Sequence, residues 1–94
     1  MAAFMFVEIK VKDPAVYEDY MARIPPVIAK YEGQYIVRSS KVTPVAGGWV
    51  PDRLIVMKFA SVEALRKCFQ STEYKELAVL REQATITRSV MVED

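Results

Sequence analysis

The sequence predicts an α+β fold, with strands and helices in the order β-α-β-β-α-β. Apolar residues alternate with a period of two in several short segments, and between these segments they recur at steps of three and four residues. The chain has 94 residues, of which 52% are hydrophobic, and it contains no linker or low-complexity stretch. We therefore expect one domain that spans residues 1–94.

The first strand is predicted at residues 4–11. One face carries Met5, Val7, Ile9 and Val11, and the other carries Phe4, Phe6, Glu8 and Lys10. A helix should follow at Asp13-Pro14, because an aspartate can accept from free backbone N–H groups and proline is tolerated in the first turn. Gly33 is expected to end this helix in a left-handed conformation. The prolines at 25 and 26 predict a kink near Ile24 or two short helices in series.

The second half of the chain repeats the alternation of strand and helix. Residues 34–42 predict a second strand, whose polar content favours an edge position, and residues 44–48 predict a turn. Residues 53–59 are apolar on both faces, which favours a central strand. Ser61 and Ser71 are both suited to cap helices, so a break is expected near Gln70, and residues 85–92 predict the last strand.

This order of elements predicts a ferredoxin-like arrangement, a four-stranded antiparallel sheet with the helices on one face. The other face of the sheet would then expose four large apolar side chains to solvent. These are Phe4, Phe6, Leu54 and Val56. Because soluble monomers rarely expose such a patch, we expect a homodimer that packs sheet against sheet through these residues. On the same face, Glu8 is expected to pair with Lys58 across adjacent strands.

Composition excludes several classes of function. The formal charge of +1 and the lack of charge runs argue against a nucleic-acid or membrane partner. No apolar run approaches the roughly 20 residues that would span a bilayer. The single Cys68 and the absence of a signal peptide favour the cytoplasm. Without histidine there is no Ser-His-Asp relay and no imidazole ligand, and one cysteine is too few for zinc, so we expect no metal and no cofactor.

Three segments of the chain resemble the bacterial domain-of-unknown-function family numbered 1330. They are residues 20–38, residues 48–59 and residues 71–81. The resemblance implies a ferredoxin-like fold of the dimeric α/β barrel group, in which two sheets pack face to face, and it assigns no activity. The chain departs from the family pattern at Glu32-Gly33, at Ser39-Ser40, and at Lys58, where relatives have glutamate. A general acid/base role of that glutamate is therefore in doubt for this chain.

Arg38, Arg53 and Arg81 match arginine positions of the family. The guanidinium offers a planar fork of donors suited to a carboxylate, so these residues are candidates for holding an acidic metabolite. The alternative is that each pairs with a nearby carboxylate, such as Asp52 or Glu82, or lies in water.

Tyr20 and Tyr74 lie on apolar helical faces, where their phenols could donate hydrogen bonds to a ligand in the cleft between helix and sheet. Core packing is the alternative. Trp49 could line a binding mouth, brace a partner subunit or cap the hairpin. Cys68, which has no histidine beside it, is expected to be an inert, half-buried thiol.

Two functions remain open from the sequence. The first is a small-molecule-binding protein of the dimeric α/β barrel type, acting as a cofactor-free enzyme on an acidic metabolite. The second is a non-catalytic dimeric module for binding or interaction. Neither the ligand, nor the reaction, nor the physiological partner follows from the residues.

Overall fold

The computed structural model describes residues 1–94. The elements are β1 (Ala3–Val11), α1 (Pro14–Lys30), β2 (Gln34–Ser39), β3 (Arg53–Phe59), α2 (Val62–Gln70), α3 (Thr72–Ala84) and β4 (Thr85–Glu93). The four strands form one antiparallel sheet in the order β2-β3-β1-β4. The ferredoxin-like α+β fold is thereby confirmed, with β3 at the centre and β2 at an edge. None of the helices is long and apolar enough to cross a bilayer.

Helix α1 begins as its sequence predicts but is not divided in two. The backbone N–H of Val16 donates to the Asp13 carboxylate at 3.2 Å, and Pro14 occupies the first turn. One helix then continues through both prolines to Lys30. Tyr20, Ile24 and Ile28 form a buried stripe on both sides of the prolines, so packing against the sheet holds the two halves in one direction.

The end of α1 differs from the expectation that Gly33 would be the left-handed residue. Glu32 has the positive φ, 64°, and its N–H donates to the Ala29 carbonyl while that of Gly33 donates to the Ile28 carbonyl. This is a Schellman motif shifted by one residue. Gly33 serves a steric role instead, because a Cβ there would lie 2.6 Å from Ile28 Cγ2 and 2.7 Å from Phe59 Cε1.

The serine caps are confirmed, and they place two helices against the sheet. Ser61 accepts from the Ala64 N–H and Ser71 accepts from the Tyr74 N–H, each at 3.1 Å. Strand β2 is shorter than predicted and ends at Ser39, whose hydroxyl accepts from the Lys41 N–H in a local turn. The most deeply buried side chains lie between the sheet and the helices. They are Phe59, Ile9, Ile24, Ile28 and Cys68.

The expected pairing of Glu8 with Lys58 is wrong. The register places Leu54 and Arg88 opposite Glu8, whereas Lys58 lies opposite Phe4. Glu8 accordingly forms an ion pair with Arg88, and the Lys58 ammonium lies 5.9 Å from the centre of the Phe4 ring. The Arg88 hydrogen bond is the main cause that lowers the pKa of the Glu8 carboxyl.

Candidate functional site

A cavity of about 240 Å³ lies between the sheet and the helices. It has thirteen lining residues, of which eleven are hydrophobic. They are Met5, Val7, Ile9, Tyr20, Met21, Ile28, Tyr35, Ile55, Met57, Phe69, Tyr74, Arg81 and Ser89. A volume slightly below the roughly 300–1,000 Å³ of drug-sized sites suits a small metabolite.

Arg81 is the charged residue of this cavity. Its Nη1 donates to the Tyr74 hydroxyl at 2.7 Å, and the guanidinium carbon lies 5.9 Å from the centre of the Tyr74 ring. The Arg81 Nε is buried and has no hydrogen-bond partner. Almost none of the surface of this nitrogen is accessible, so the Nε itself faces packed protein atoms and Arg81 lines the cavity with other atoms of its side chain.

Three tyrosines of the lining have neutral hydroxyls, and the pKa values of Tyr20 and Tyr74 are affected by the charge of Arg81. Burial is the main cause that raises the pKa of Tyr20, of Tyr35 and of Tyr74, and Arg81 only partly opposes the increase at Tyr20 and Tyr74. These phenols therefore stay protonated at neutral pH, where they can donate hydrogen bonds but cannot act as bases. Tyr74 is also fixed by the Phe69 ring, which stacks on it with 4.5 Å between ring centres.

A separate polar depression along β4 shares two lining residues with the cavity. Arg81 and Ser89 line both spaces, and the depression also has Glu82, Thr85, Thr87 and Arg88 in its wall. Helix α3 ends at Ala84, just before β4 begins, which brings Arg81 close to that strand. The Arg81 guanidinium is thereby positioned between an apolar interior and a polar rim.

The structure brings together three of the six residues singled out in the sequence, namely Tyr20, Tyr74 and Arg81. Arg53 lies outside the cavity, where its Nε donates to the Tyr17 hydroxyl at 3.0 Å and its Nη1 to Ser40 Oγ at 3.1 Å. Arg38 is exposed, with its guanidinium carbon 4.5 Å from the centre of the Tyr35 ring. None of these arginines forms an ion pair with Asp52 or Glu82. The ion pairs of the chain are Arg23–Asp19, Lys30–Glu73 and Arg88–Glu8.

Trp49 lies on the opposite face of the sheet. Its indole N–H donates to Glu8 Oε2 at 3.1 Å, and it borders a shallow depression together with Phe6, Leu54 and Arg88. Lys58 faces the same side, because it stands opposite Phe4 in the register. Lys58 is therefore separated from the cavity by the thickness of the sheet.

Three other lining residues were not singled out as site candidates in the sequence. Tyr35, Phe69 and Ser89 come from three different elements, β2, α2 and β4. Alternation along β4 predicts that Ser89 points away from its neighbour Arg88, and this signal was available. In β2 the register shifts between Tyr35 and Val37, so that Tyr35 pairs with Met57 and Val37 with Val56 on opposite faces of the sheet, which alternation does not predict. Their convergence on one cavity depends on the strand order, which a local pattern does not contain.

This arrangement can bind an anion and stabilise negative charge. A guanidinium next to neutral phenols and in an apolar surrounding favours a carboxylate or an enolate oxygen. The lining contains no carboxylate and no imidazole. No group of three or more potential metal-ligating side chains occurs in the chain.

The fold and the cavity define a ferredoxin-like α+β domain with a ligand-sized site between sheet and helices. The chain belongs to the family described as Domain of unknown function (DUF1330), which it matches over residues 2–94. No curated protein is detectably similar to the chain in sequence.

Several solved structures share the fold at low sequence identity. A protein of unknown function from Rhodopseudomonas palustris has a TM-score of 0.81 and 15% identity, over 99% of this chain and 82% of its own. A dimeric ferredoxin-like protein of unknown function from Jannaschia sp. CCS1 has a TM-score of 0.80 and 9% identity, over 100% of both chains. SnoaB, a cofactor-independent oxygenase from Streptomyces nogalater, has a TM-score of 0.73 and 12% identity, over 99% of this chain and 92% of its own.

Proposed function

We propose that this protein binds a small acidic metabolite in the cavity and that Arg81 is the anion-binding residue. The observation that carries the proposal is the position of Arg81, the one charged residue in the lining of a largely apolar cavity. A carboxylate in the cavity would give the guanidinium an oppositely charged partner, which none of the ion pairs within the chain supplies, and the Tyr74 hydroxyl already holds the guanidinium in place.

The proposal includes chemistry without a cofactor. SnoaB, which has the same fold, is described as a cofactor-independent oxygenase. In such chemistry the cavity of this chain would stabilise negative charge that develops on the ligand, through Arg81 and the protonated hydroxyls of Tyr20 and Tyr74.

A specific observation favours the second candidate, a non-catalytic binding module. The lining residues include no carboxylate or imidazole, and the raised pKa values of the cavity tyrosines leave no proton acceptor among them at neutral pH. Abstraction of a proton from a weakly acidic ligand would therefore be unassisted. Binding without turnover requires only the anion site.

We also propose that the working unit is a homodimer in which the open faces of two sheets pack together. Besides the predicted Phe4, Phe6, Leu54 and Val56, this open face carries Val37, Ile86, Val90 and Val92. Phe6 is 40% exposed and Val90 60% exposed in the single chain. Ferredoxin-like proteins of the same fold from Jannaschia sp. CCS1 and Thermobifida fusca are described as dimeric.

The surface area of the single chain supports this assembly. The accessible surface is 6083 Å², compared with the roughly 5,500 Å² expected for a folded monomer of this mass. The excess is consistent with a face that is covered in the assembly. Light scattering at micromolar concentration should give the mass of two chains, and a stable monomer would contradict the dimer.

A thermal-shift screen tests the ligand proposal. Carboxylate-bearing metabolites are added to the wild-type protein, to Arg81→Ala and to Arg38→Ala, a matched arginine outside the cavity. We expect at least one acid to raise the Tm of the wild type and of Arg38→Ala but not of a folded Arg81→Ala. If none of the acids stabilises the wild-type protein, the proposal is contradicted. If an acid does stabilise it, a test for turnover of that acid distinguishes an enzyme from a binding module.

A further inference from the structure

We infer that the ligand is a monocarboxylate with an apolar body, in which the carboxylate contacts Arg81 and the aliphatic or aromatic body fills the cavity. This inference rests on the proposed function and specifies its ligand class. This ligand class excludes dicarboxylates, phosphorylated metabolites and sugar acids, all of which carry additional polar groups along the molecule.

The charge of the cavity limits the ligand to one anionic group. Arg81 is the single charged residue in the lining, and its Nη1 is already bonded to Tyr74. One guanidinium balances the charge of one carboxylate. A second anionic group inside the cavity would lie among apolar side chains without a cation, which is strongly unfavourable.

The rest of the wall accepts an apolar body of variable shape. Three flexible methionines, Met5, Met21 and Met57, line the cavity. The stacked pair of Phe69 and Tyr74 provides a flat aromatic surface beside them. Burial of an apolar group of the ligand against these side chains would supply most of the affinity, since removing apolar surface from water is favourable.

The position of Arg81 also fixes the orientation of the ligand. Arg81 and Ser89 belong both to the cavity and to the polar depression along β4, whereas the methionines belong to the cavity alone. A bound acid would therefore have its carboxylate at the rim, beside Ser89, and its apolar body directed inward. This order keeps the charged group near water and desolvates only the apolar part.

Methyl NMR of the wild-type protein with labelled methionines tests the inference without a substitution. Phenylacetate and hexanoate are titrated, and phenylacetamide, succinate and inorganic phosphate serve as matched probes. We expect the acids with apolar bodies to shift the Met5, Met21 and Met57 signals, while the signal of the exposed Met1, which is outside the cavity lining, stays unchanged. Phenylacetamide should bind about tenfold or more weakly, because it lacks the charge-assisted bonds to Arg81.

Affinity measurements by calorimetry assign the anion contact. Arg81→Gln should lose the preference for phenylacetate over phenylacetamide, and Arg38→Gln should keep it. Equal binding of the amide and the acid to the wild type would overturn the inference, as would the absence of cavity shifts with both acids. Succinate or phosphate binding as tightly as phenylacetate, and lost in Arg81→Gln, would overturn the monocarboxylate class while leaving the acidic-metabolite proposal intact.

Discussion

Arg81 is the residue on which the proposed function depends, because it is the one charged side chain in the lining of a largely apolar cavity. Tyr74 accepts from its Nη1 at 2.7 Å, and the buried Nε has no partner. An unpaired buried donor costs free energy, so stability alone does not favour a guanidinium at this position. Tyr20 and Tyr74 were foreseeable from the helical period as candidates for the cleft between helix and sheet, and both line the cavity.

A double-mutant cycle tests the coupling of Tyr74 and Arg81. Tyr74→Phe should lower the free energy of unfolding by about 1–3 kcal/mol, because Arg81 then loses its one side-chain partner in a partly buried position. Arg81→Met in the Tyr74→Phe background should recover much of this loss, since both polar partners are then replaced by apolar groups. Urea denaturation measures the cycle, and strictly additive effects would show that the two side chains are not coupled.

At the scale of elements, caps and alternation were predictable because they depend on neighbours in sequence. Asp13, Ser61 and Ser71 accept the hydrogen bonds expected of them. The prediction placed the left-handed residue at the end of α1 at Gly33, one position after Glu32, which has the positive φ. A glycine is required at position 33 because a side chain there would overlap Ile28 and Phe59. Tertiary contacts of this kind are not contained in a local pattern.

Paired substitutions at this helix end give opposite predictions. Gly33→Ala should destabilise the protein by about 1–3 kcal/mol, because the new methyl group overlaps Ile28 and Phe59. Glu32→Gly should raise stability by up to about 1 kcal/mol, because glycine adopts the φ of 64° without the steric cost of a side chain. Thermal unfolding of both variants measures the effect. An unchanged stability of Gly33→Ala would contradict this prediction and would show that Ile28 and Phe59 move to make room for the methyl group.

Helices α1 and α3 are joined by a polar cluster around Glu73. Its carboxylate accepts from the Tyr31 hydroxyl at 2.5 Å and from the Lys30 ammonium at 2.9 Å. The Tyr31 hydrogen bond is the first cause, and that of Lys30 the second, that lowers the pKa of Glu73 below its ordinary 4.5. A lowered carboxyl pKa means that the contribution to stability is present above pH 4.5 and is lost as the pH falls through the pKa of the folded state.

The stability difference between wild type and Glu73→Gln should therefore depend on pH. The wild type should be the more stable protein near pH 7, and the difference should shrink as the pH falls below 4.5. Glu76→Gln, an exposed position on the same helix, serves as the control and should show no such change. Chemical denaturation over this pH range measures both. A difference that stays constant with pH would contradict the role of the Glu73 cluster.

At the scale of the whole molecule, the sheet separates two surfaces with different chemistry. The helix side holds the cavity, and the open face holds apolar residues together with the Glu8–Arg88 pair and Trp49. Alternation in β1 and β3 foresaw Phe6 and Val56 on the open face. It did not identify Arg88 as the partner of Glu8, because that contact depends on the pairing of β4 with β1, the first and last strands of the chain.

Two exposed valines provide a matched test of the dimer. Val90 is 60% exposed on the open face, and Val79 is 52% exposed on α3. Val90→Lys should shift the protein towards monomer at micromolar concentration, because dimer formation would bury an unpaired ammonium. Val79→Lys should leave the mass unchanged. Light scattering measures both variants, and equal masses for the two would place the interface elsewhere.

The most direct test of the central claim is a crystal structure of the protein grown with phenylacetate. The proposed function predicts density for the acid in the cavity between sheet and helices, with a carboxylate oxygen within hydrogen-bond distance of the Arg81 guanidinium and the ring against the methionine side of the wall. An empty cavity, or an acid bound at Arg38 or Arg53 and not at Arg81, would contradict it.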